Sequence, residues 1–260
     1  MSAILLLCLA LPAQSAQDLR LATTTSTENS GLLAAILPQF EKQYQTRVRV
    51  ISVGSGKAMK LGENGDVDVV LVHSRADEDR FVAAGFGVGR RDVMYNDFIL
   101  AGPGADPAGA RGTDVLAAFK RIAASGSRFV SRGDDSGTDK TEKSYWRDAG
   151  IDLATLPGYL SAGLGMGEVL MMAAELRGYT LTDRATYATY RARTGLEVLV
   201  SGDAKLFNPY GVIAVNPQRH PGVNHWGAMQ FIDWLTSTEG QEAIADFRVG
   251  GQQLFFPNAR

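Results

Sequence analysis

The chain has 260 residues, 26 Lys+Arg against 28 Asp+Glu, a formal net charge of −2, and 45% hydrophobic against 21% charged residues. That balance is ordinary for a globular protein and excludes a disordered chain, which needs less hydrophobicity and more net charge. With no basic surplus to neutralise a run of phosphates, it also argues against a dedicated nucleic-acid binder. At roughly 100–200 residues per domain, the length suggests one large or two medium domains.

The first sixteen residues, MSAILLLCLALPAQSA, have the layout of a secretory signal peptide. An apolar run is followed by Pro12 and small residues. The run falls short of the ~20 apolar residues that span a bilayer. Cleavage fits after Ala16 or after Ser15. The one cysteine, Cys8, would leave with this segment. The mature protein is then expected to be exported, soluble and free of cysteine.

Strands and helices alternate over the rest of the chain, which points to an α/β fold with mixed or mostly parallel sheets. Residues 19–23 (LRLAT) form a first strand. Residues 31–44 place apolar side chains at 32, 33, 36, 37, 40 and 44, the helical spacing. Strand 47–52, short helix 57–62 and buried strand 67–72 (VDVVLV) follow. Helix 77–84, strand 97–101 and helix 113–124 come next, the last with Thr113 as its N-cap. Then come strand 129–131, helix 136–149, helix 168–177, strand 198–200 and strand 211–215. Helices 224–235 and 239–247 close the chain.

Two breaks interrupt this alternation. Residues 97–106 (DFILAGPGAD) pass from a strand into a Gly/Pro stretch, and residues 208–211 (NPYG) precede a strand. Two chain crossings there would give two lobes, residues 17–98 plus 210–260 and residues 99–209. One continuous sheet with loops at both places is the other reading.

Three segments end a strand and open a helix with Ser, Thr and Gly: residues 23–27 (TTTST), 54–56 (GSG) and 131–138 (SRGDDSGT). Free N–H groups at helix starts, glycines that let the backbone approach, and hydroxyl donors make anion sites. Each alone is also an ordinary cap. Together they nominate Thr24, Thr25, Ser26, Ser55, Gly56, Arg132, Asp135, Ser136, Gly137 and Thr138 as anion-binding residues. In an open α/β sheet such loops gather at the carboxyl ends of strands.

Rival chemistries lack their parts. Residues 133–137 (GDDSG) resemble a trypsin-like nucleophile segment, but that mechanism needs a paired His base, and His73 follows a buried strand in an α/β pattern. There is no P-loop, no GxGxxG after the first strand and no HExxH among the three His. Asp66, Asp68, Asp134 and Asp135 sit among Arg132, Lys140 and hydroxyls, a poor cation site. No cofactor, no bound metal cation and no catalytic residue are expected.

The segments TTTS (23–26), VGSG (53–56), NGDVDV (64–69), VMYNDF (93–98), SRGDDSGT (131–138), GMG (165–167), YTLTDR (179–184) and FIDWL (231–235) resemble, in order, the tungstate-binding proteins of bacterial ABC importers. Lys57 and Asp139 depart from that pattern. The resemblance implies a class II periplasmic binding protein: two α/β lobes, a two-strand hinge, and an oxyanion in the cleft. It implies a periplasmic monomer that captures tungstate, delivers it to a membrane permease, and is not an enzyme. A tetrahedral dianion presents only acceptors, so neutral donors and Arg132 suit it. Phosphate or molybdate are the alternative ligands. Phosphate keeps a proton near neutral pH and needs an acceptor, which Asp135 would supply. A phosphoester hydrolase with a hydroxyl-rich cleft is the alternative from another class.

Overall fold

The computed structural model of the protein describes residues 18–259. The expected signal segment, residues 1–16, lies outside the described residues. In chain order the elements are β1 (Leu19–Thr24), α1 (Thr25–Asn29), α2 (Leu32–Tyr44), β2 (Val48–Val53), α3 (Ser55–Asn64), β3 (Val69–Val72), α4 (Arg75–Ala83) and β4 (Gly87–Gly102). There follow α5 (Val115–Ser125), β5 (Phe129–Ser131), α6 (Gly137–Asp148), β6 (Tyr159–Ser161), α7 (Met166–Glu175), β7 (Thr180–Asp183), α8 (Arg184–Thr194) and β8 (Glu197–Val200). The chain ends with β9 (Phe207–Val215), α9 (His225–Leu235), α10 (Thr238–Asp246) and three two-residue strands, β10 (Arg248–Val249), β11 (Gln252–Gln253) and β12 (Phe256–Pro257).

Alternation along the strands decides which residues meet. Leu19, Leu21, Val69, Leu71, Val212 and Ala214 face one core, which α2 and α9 cover with Ile36, Phe40, Phe231 and Ile232. The residues between them, Ala22, Val70, Val72, Ile213 and Val215, face a second core with Ala58 and Met59 of α3 and Phe81 of α4. Strand side chains alternate between faces, and a sheet covered on both faces must be apolar on both. The end of β4 repeats the pattern. Phe98 and Leu100 join Phe119, Tyr145 and Trp146 of α5 and α6, while Ile99 and Ala101 join Val169 and Leu170 of α7. The first two cores draw on residues 19–94 and 210–255, with Ala185 added. The other two draw only on residues 98–206.

One sheet runs β12-β4-β9-β3-β1-β2, with β7 and β8 also paired to β4. Pairs β1–β2, β1–β3 and β5–β6 are parallel. Pairs β3–β9, β4–β9, β4–β7 and β4–β8 are antiparallel. The sheet is therefore mixed, and the mostly parallel character is confined to its β2-β1-β3 side. The cause is that β4 and β9 traverse the molecule in opposite directions, one outward and one returning. β4 is 16 residues long, a reach of roughly 50 Å at strand rise. Its residues 87–97 pair with β9, and 98–102 pair with β7 and β8.

Several expected boundaries move. The helix read at 31–44 starts after Gly31, which holds φ +81, and the separate helix α1 precedes it. The N-cap of α5 is Asp114, whose carboxylate accepts from Ala117 N–H, rather than Thr113. Strand 97–101 begins ten residues earlier, at Gly87. β7 and α8 were not anticipated as elements.

Phe119 is fully buried, with its ring centroid 4.4 Å from Trp146 and 5.4 Å from Phe129. Phe119→Ala is expected to cost about 3–5 kcal/mol, read as a lower urea midpoint. Trp226, 75% exposed, is the comparison: Trp226→Ala should stay within about 0.5 kcal/mol of the parent.

Candidate anion-binding site

The carboxyl ends of four strands meet at Arg132. β1 ends at Thr24 and leads to Thr25, β3 ends just before His73, β5 just before Arg132, and β7 at Asp183. The Arg132 side chain is fully buried. Its Nη2 donates to Asp134 Oδ2 at 2.5 Å and to Thr25 Oγ1 at 2.8 Å. Its Nε and Nη1 have no hydrogen-bond partner. A buried donor without an acceptor costs roughly 1–3 kcal/mol, and more when it is charged. Thr138 Oγ1, also buried, has no partner either. Arg132 and Thr138 border one tight gap with Ser131, Asp139, Glu142 and Thr180, too narrow to admit a water.

The nominated hydroxyls divide by what their protons already do. Thr24 Oγ1 caps α1 by accepting from Thr27 N–H, and it lies 2.9 Å from Ser26 Oγ and 2.7 Å from Thr27 Oγ1. Ser26 Oγ lies 3.2 Å from His73 Nε2. Thr24 and Ser26 are thus engaged in an internal network. Thr25, Ser55 and Ser136 instead accept from protein donors: Arg132 Nη2, Gly137 N–H at 2.9 Å, and Asp139 N–H at 3.2 Å. An accepting hydroxyl keeps its own proton to donate. Each of these three therefore has a proton free, as has the unpartnered Thr138, and Thr25 touches the guanidinium directly.

Gly56 and Gly137 serve by what they lack. The loop before α3 packs directly on the loop before α6, and Gly56 N–H donates to Asp135 C=O at 3.3 Å. A Cβ on Gly54 would sit 2.8 Å from Asp134 C=O, and one on Gly137 would sit 3.0 Å from His73 C=O. A Cβ on Gly56 would collide with the Asp135 carboxylate.

The structure does not bring Asp135 into the set. Its side chain is 71% exposed, and its carboxylate lies 3.4 Å from Lys140 Nζ. A left-handed backbone at φ +58 turns it to solvent. Asp134 is the carboxylate that pairs with Arg132, and its other oxygen accepts from Ser136 N–H. Lys57 is exposed. Asp139 is buried and holds the loop, accepting from Gly133 N–H at 2.9 Å and from Lys143 Nζ at 2.7 Å.

Sequence reasoning missed the polar groups behind this face. His73 lies against Asn208, which in turn reaches Asn96, all buried. Burial, and then the Arg132 charge, push the His73 pKa down to about 4, so the ring is neutral near pH 7. Burial raises the Asp183 pKa, and the nearby Arg132 charge opposes it. A polar residue directly after a wholly apolar strand was the available signal for His73. Among the described residues, no cluster of His, Cys, Asp and Glu is placed to hold a metal ion.

Comparison with known proteins follows this geometry. The PBP superfamily domain matches residues 11–239. The tungstate ABC transporter protein of Geobacter sulfurreducens is 52% identical, covering 88% of this chain and 98% of that chain, with a TM-score of 0.82. The tungstate-binding protein TupA of Desulfovibrio alaskensis is 48% identical, covering 94% and 100%, with a TM-score of 0.79. The tungstate-binding protein TupA of Peptoclostridium acidaminophilum is 47% identical over 253 residues, 95% of this chain and 87% of that one.

Glu142, which borders the same gap as Arg132 and Thr138, gives a pH test. Burial first, and then Asp139, raise its pKa from 4.5 to about 7, against the hydrogen bond from Ser131. Between those values the folded protein holds a proton that the unfolded chain has lost. The stability present below about pH 4.5 is therefore lost as pH rises through 7. Glu142→Gln should match the parent near pH 4.5 and melt several degrees higher at pH 8, a difference on the order of 2 kcal/mol. A thermal-melt series across pH checks it.

Proposed function

We propose, from the premise that this chain belongs to the PBP superfamily and within it to the tungstate-binding proteins, that Arg132 and the hydroxyls around it receive the anion. The protein is a solute-binding protein that captures tungstate. Its relatives are binding proteins of transporters. In this reading the chain acts outside the cytoplasm as a monomer, hands tungstate to an ABC importer permease, and catalyses no reaction. No described helix is long and apolar enough to cross a membrane, so the permease would supply the membrane path.

The observation that carries the site is the buried Arg132 guanidinium with two unpartnered nitrogens. Asp134 balances its charge from one side, leaving Nε and Nη1 for an acceptor. A tetrahedral dianion has only acceptors to offer, and Thr25, Ser55, Ser136 and Thr138 each have a proton left to give. The match is one of donor count as well as charge. Phosphate fits less well. The acceptor expected for its proton, Asp135, faces solvent beside Lys140. Molybdate is nearly isosteric with tungstate, so the preference for tungstate rests on the relatives.

The lobes follow from the same reading. Residues 17–98 with 210–260 carry Thr25 and Ser55, and residues 99–209 carry Arg132, Ser136 and Thr138. An anion between them is held from both sides, so it stabilises the closed arrangement by its differential affinity. β4 and β9 are the two strands that cross between lobes.

Calorimetry with tungstate, molybdate, sulfate and phosphate tests the assignment, with one site per chain and tungstate tightest as the expected result. Tightest binding to phosphate would contradict it. Arg132→Ala should weaken tungstate by about 2–5 kcal/mol, the scale of a truncated buried charge pair, while the unliganded melting temperature moves little. Arg132→Lys keeps the charge, loses the fork, and should change the order of oxyanions. Small-angle scattering should show the radius of gyration falling when tungstate is added.

A further inference from the structure

We propose that His73 is a positioning residue that fixes the anion loop to the point where the two lobe-crossing strands part. The inference rests on the tungstate reading and deepens it. It stands on an unbroken chain of buried polar contacts. Ser26 Oγ lies 3.2 Å from His73 Nε2. His73 Nδ1 lies 2.9 Å from Asn208 Oδ1. Asn208 Nδ2 donates to Asn96 Oδ1 at 2.6 Å. The Tyr210 hydroxyl lies 3.4 Å from both amide nitrogens. Each of these side chains is at most 4% exposed.

The register gives the chain its meaning. Asn96 of β4 and Asn208 of β9 are directly paired, one rung from the end of that ladder at Asp97 and Phe207. From Phe98 onward β4 pairs with β7. The Asn pair therefore sits at the fork, between the core that ends at Met94 and Tyr210 and the core that begins at Phe98 and Leu206. Any bending of the two strands about this fork moves the amides against His73. The ring is held on its face by Tyr210, centroids 4.8 Å apart. It is packed from β1's loop, β4 and β9 at once.

The direction of each hydrogen bond follows from the amides. Asn208 spends its N–H on Asn96, so its carbonyl oxygen accepts from His73 Nδ1–H. His73 Nε2 is then the acceptor for the Ser26 hydroxyl. Ser26 is thereby oriented by a ring whose other edge reads the strand fork. Five buried polar side chains are costly unless every one has a partner. Here each has one.

Histidine-selective nitrogen NMR on the wild-type protein tests this, since the sequence has only His73, His220 and His225. His73 is expected as the neutral Nδ1–H tautomer at pH 7, with its Nε2 resonance shifting when tungstate saturates the site. A ring with a merely structural role would not respond. Asn208→Ala should weaken tungstate roughly tenfold, the scale of one buried hydrogen bond, and abolish the shift. His73→Phe keeps a ring but loses both nitrogens, and should weaken tungstate by a similar factor. The double variant should be no weaker than either single one, because both break one chain. Tungstate binding without an Nε2 shift, an Nε2–H tautomer, or losses that multiply in the double variant would overturn the inference while sparing the tungstate reading. Failure of the wild type to bind tungstate would overturn both. If a variant does not fold, the wild-type resonance decides alone.

Discussion

A guanidinium sealed from water is the constraint around which the rest is arranged. A charge moved into a protein interior loses hydration worth several kcal/mol or more, and recovers it only through partners. Arg132 has Asp134 and Thr25 on one nitrogen and nothing on the other two. The protein is therefore built with an unmet demand for an acceptor. In the proposed site a tetrahedral oxyanion would meet that demand, and the hydroxyls with free protons would complete its shell. Neutral donors suit such a ligand because they hold it without a surplus of fixed charge that would slow its release.

That demand accounts for features that are otherwise unconnected. The strands β1, β3, β5 and β7 end beside Arg132, because a loop that follows a buried strand is the shortest route from a rigid core to a ligand. Gly54, Gly56 and Gly137 leave room for two loops from different cores to touch through main-chain groups. Asp139 and Asp134 are spent on shaping the α6 entry and on balancing Arg132. Asp135 is turned outward, where it meets Lys140.

Much of this was legible in the residues themselves. VDVVLV at 67–72 announced a strand covered on both faces, and Val70 and Val72 do face a different core from Val69 and Leu71. The hydroxyl- and glycine-rich segments stood out because three of them open helices. What stayed hidden depended on distance in space. β4 was read as a five-residue strand because GVGRRD at 87–92 lacks apolar alternation. It is extended because β9 offers it hydrogen-bond partners, a tertiary cause that local preference does not encode. Asp134 and Asp135 are chemically identical in the sequence, and only a left-handed backbone at Asp135 separates their roles. Asn96 and Asn208 are 112 residues apart, and nothing along the chain says that they pair. His73 was visible only as a polar residue in an apolar neighbourhood.

The most direct measurement is a crystal structure of the protein with tungstate, using the anomalous signal of tungsten to place the metal without bias. The account predicts a single strong peak enclosed by Arg132, Thr25, Ser55, Ser136 and Thr138, with oxyanion oxygens in hydrogen-bond contact with Arg132 Nε and Nη1. A peak elsewhere would contradict it, for example in the open cavity that Arg184, Arg191 and Gln252 line between α8 and the β10–β11 hairpin. So would a map in which Arg132 keeps both nitrogens unpartnered while tungstate is bound.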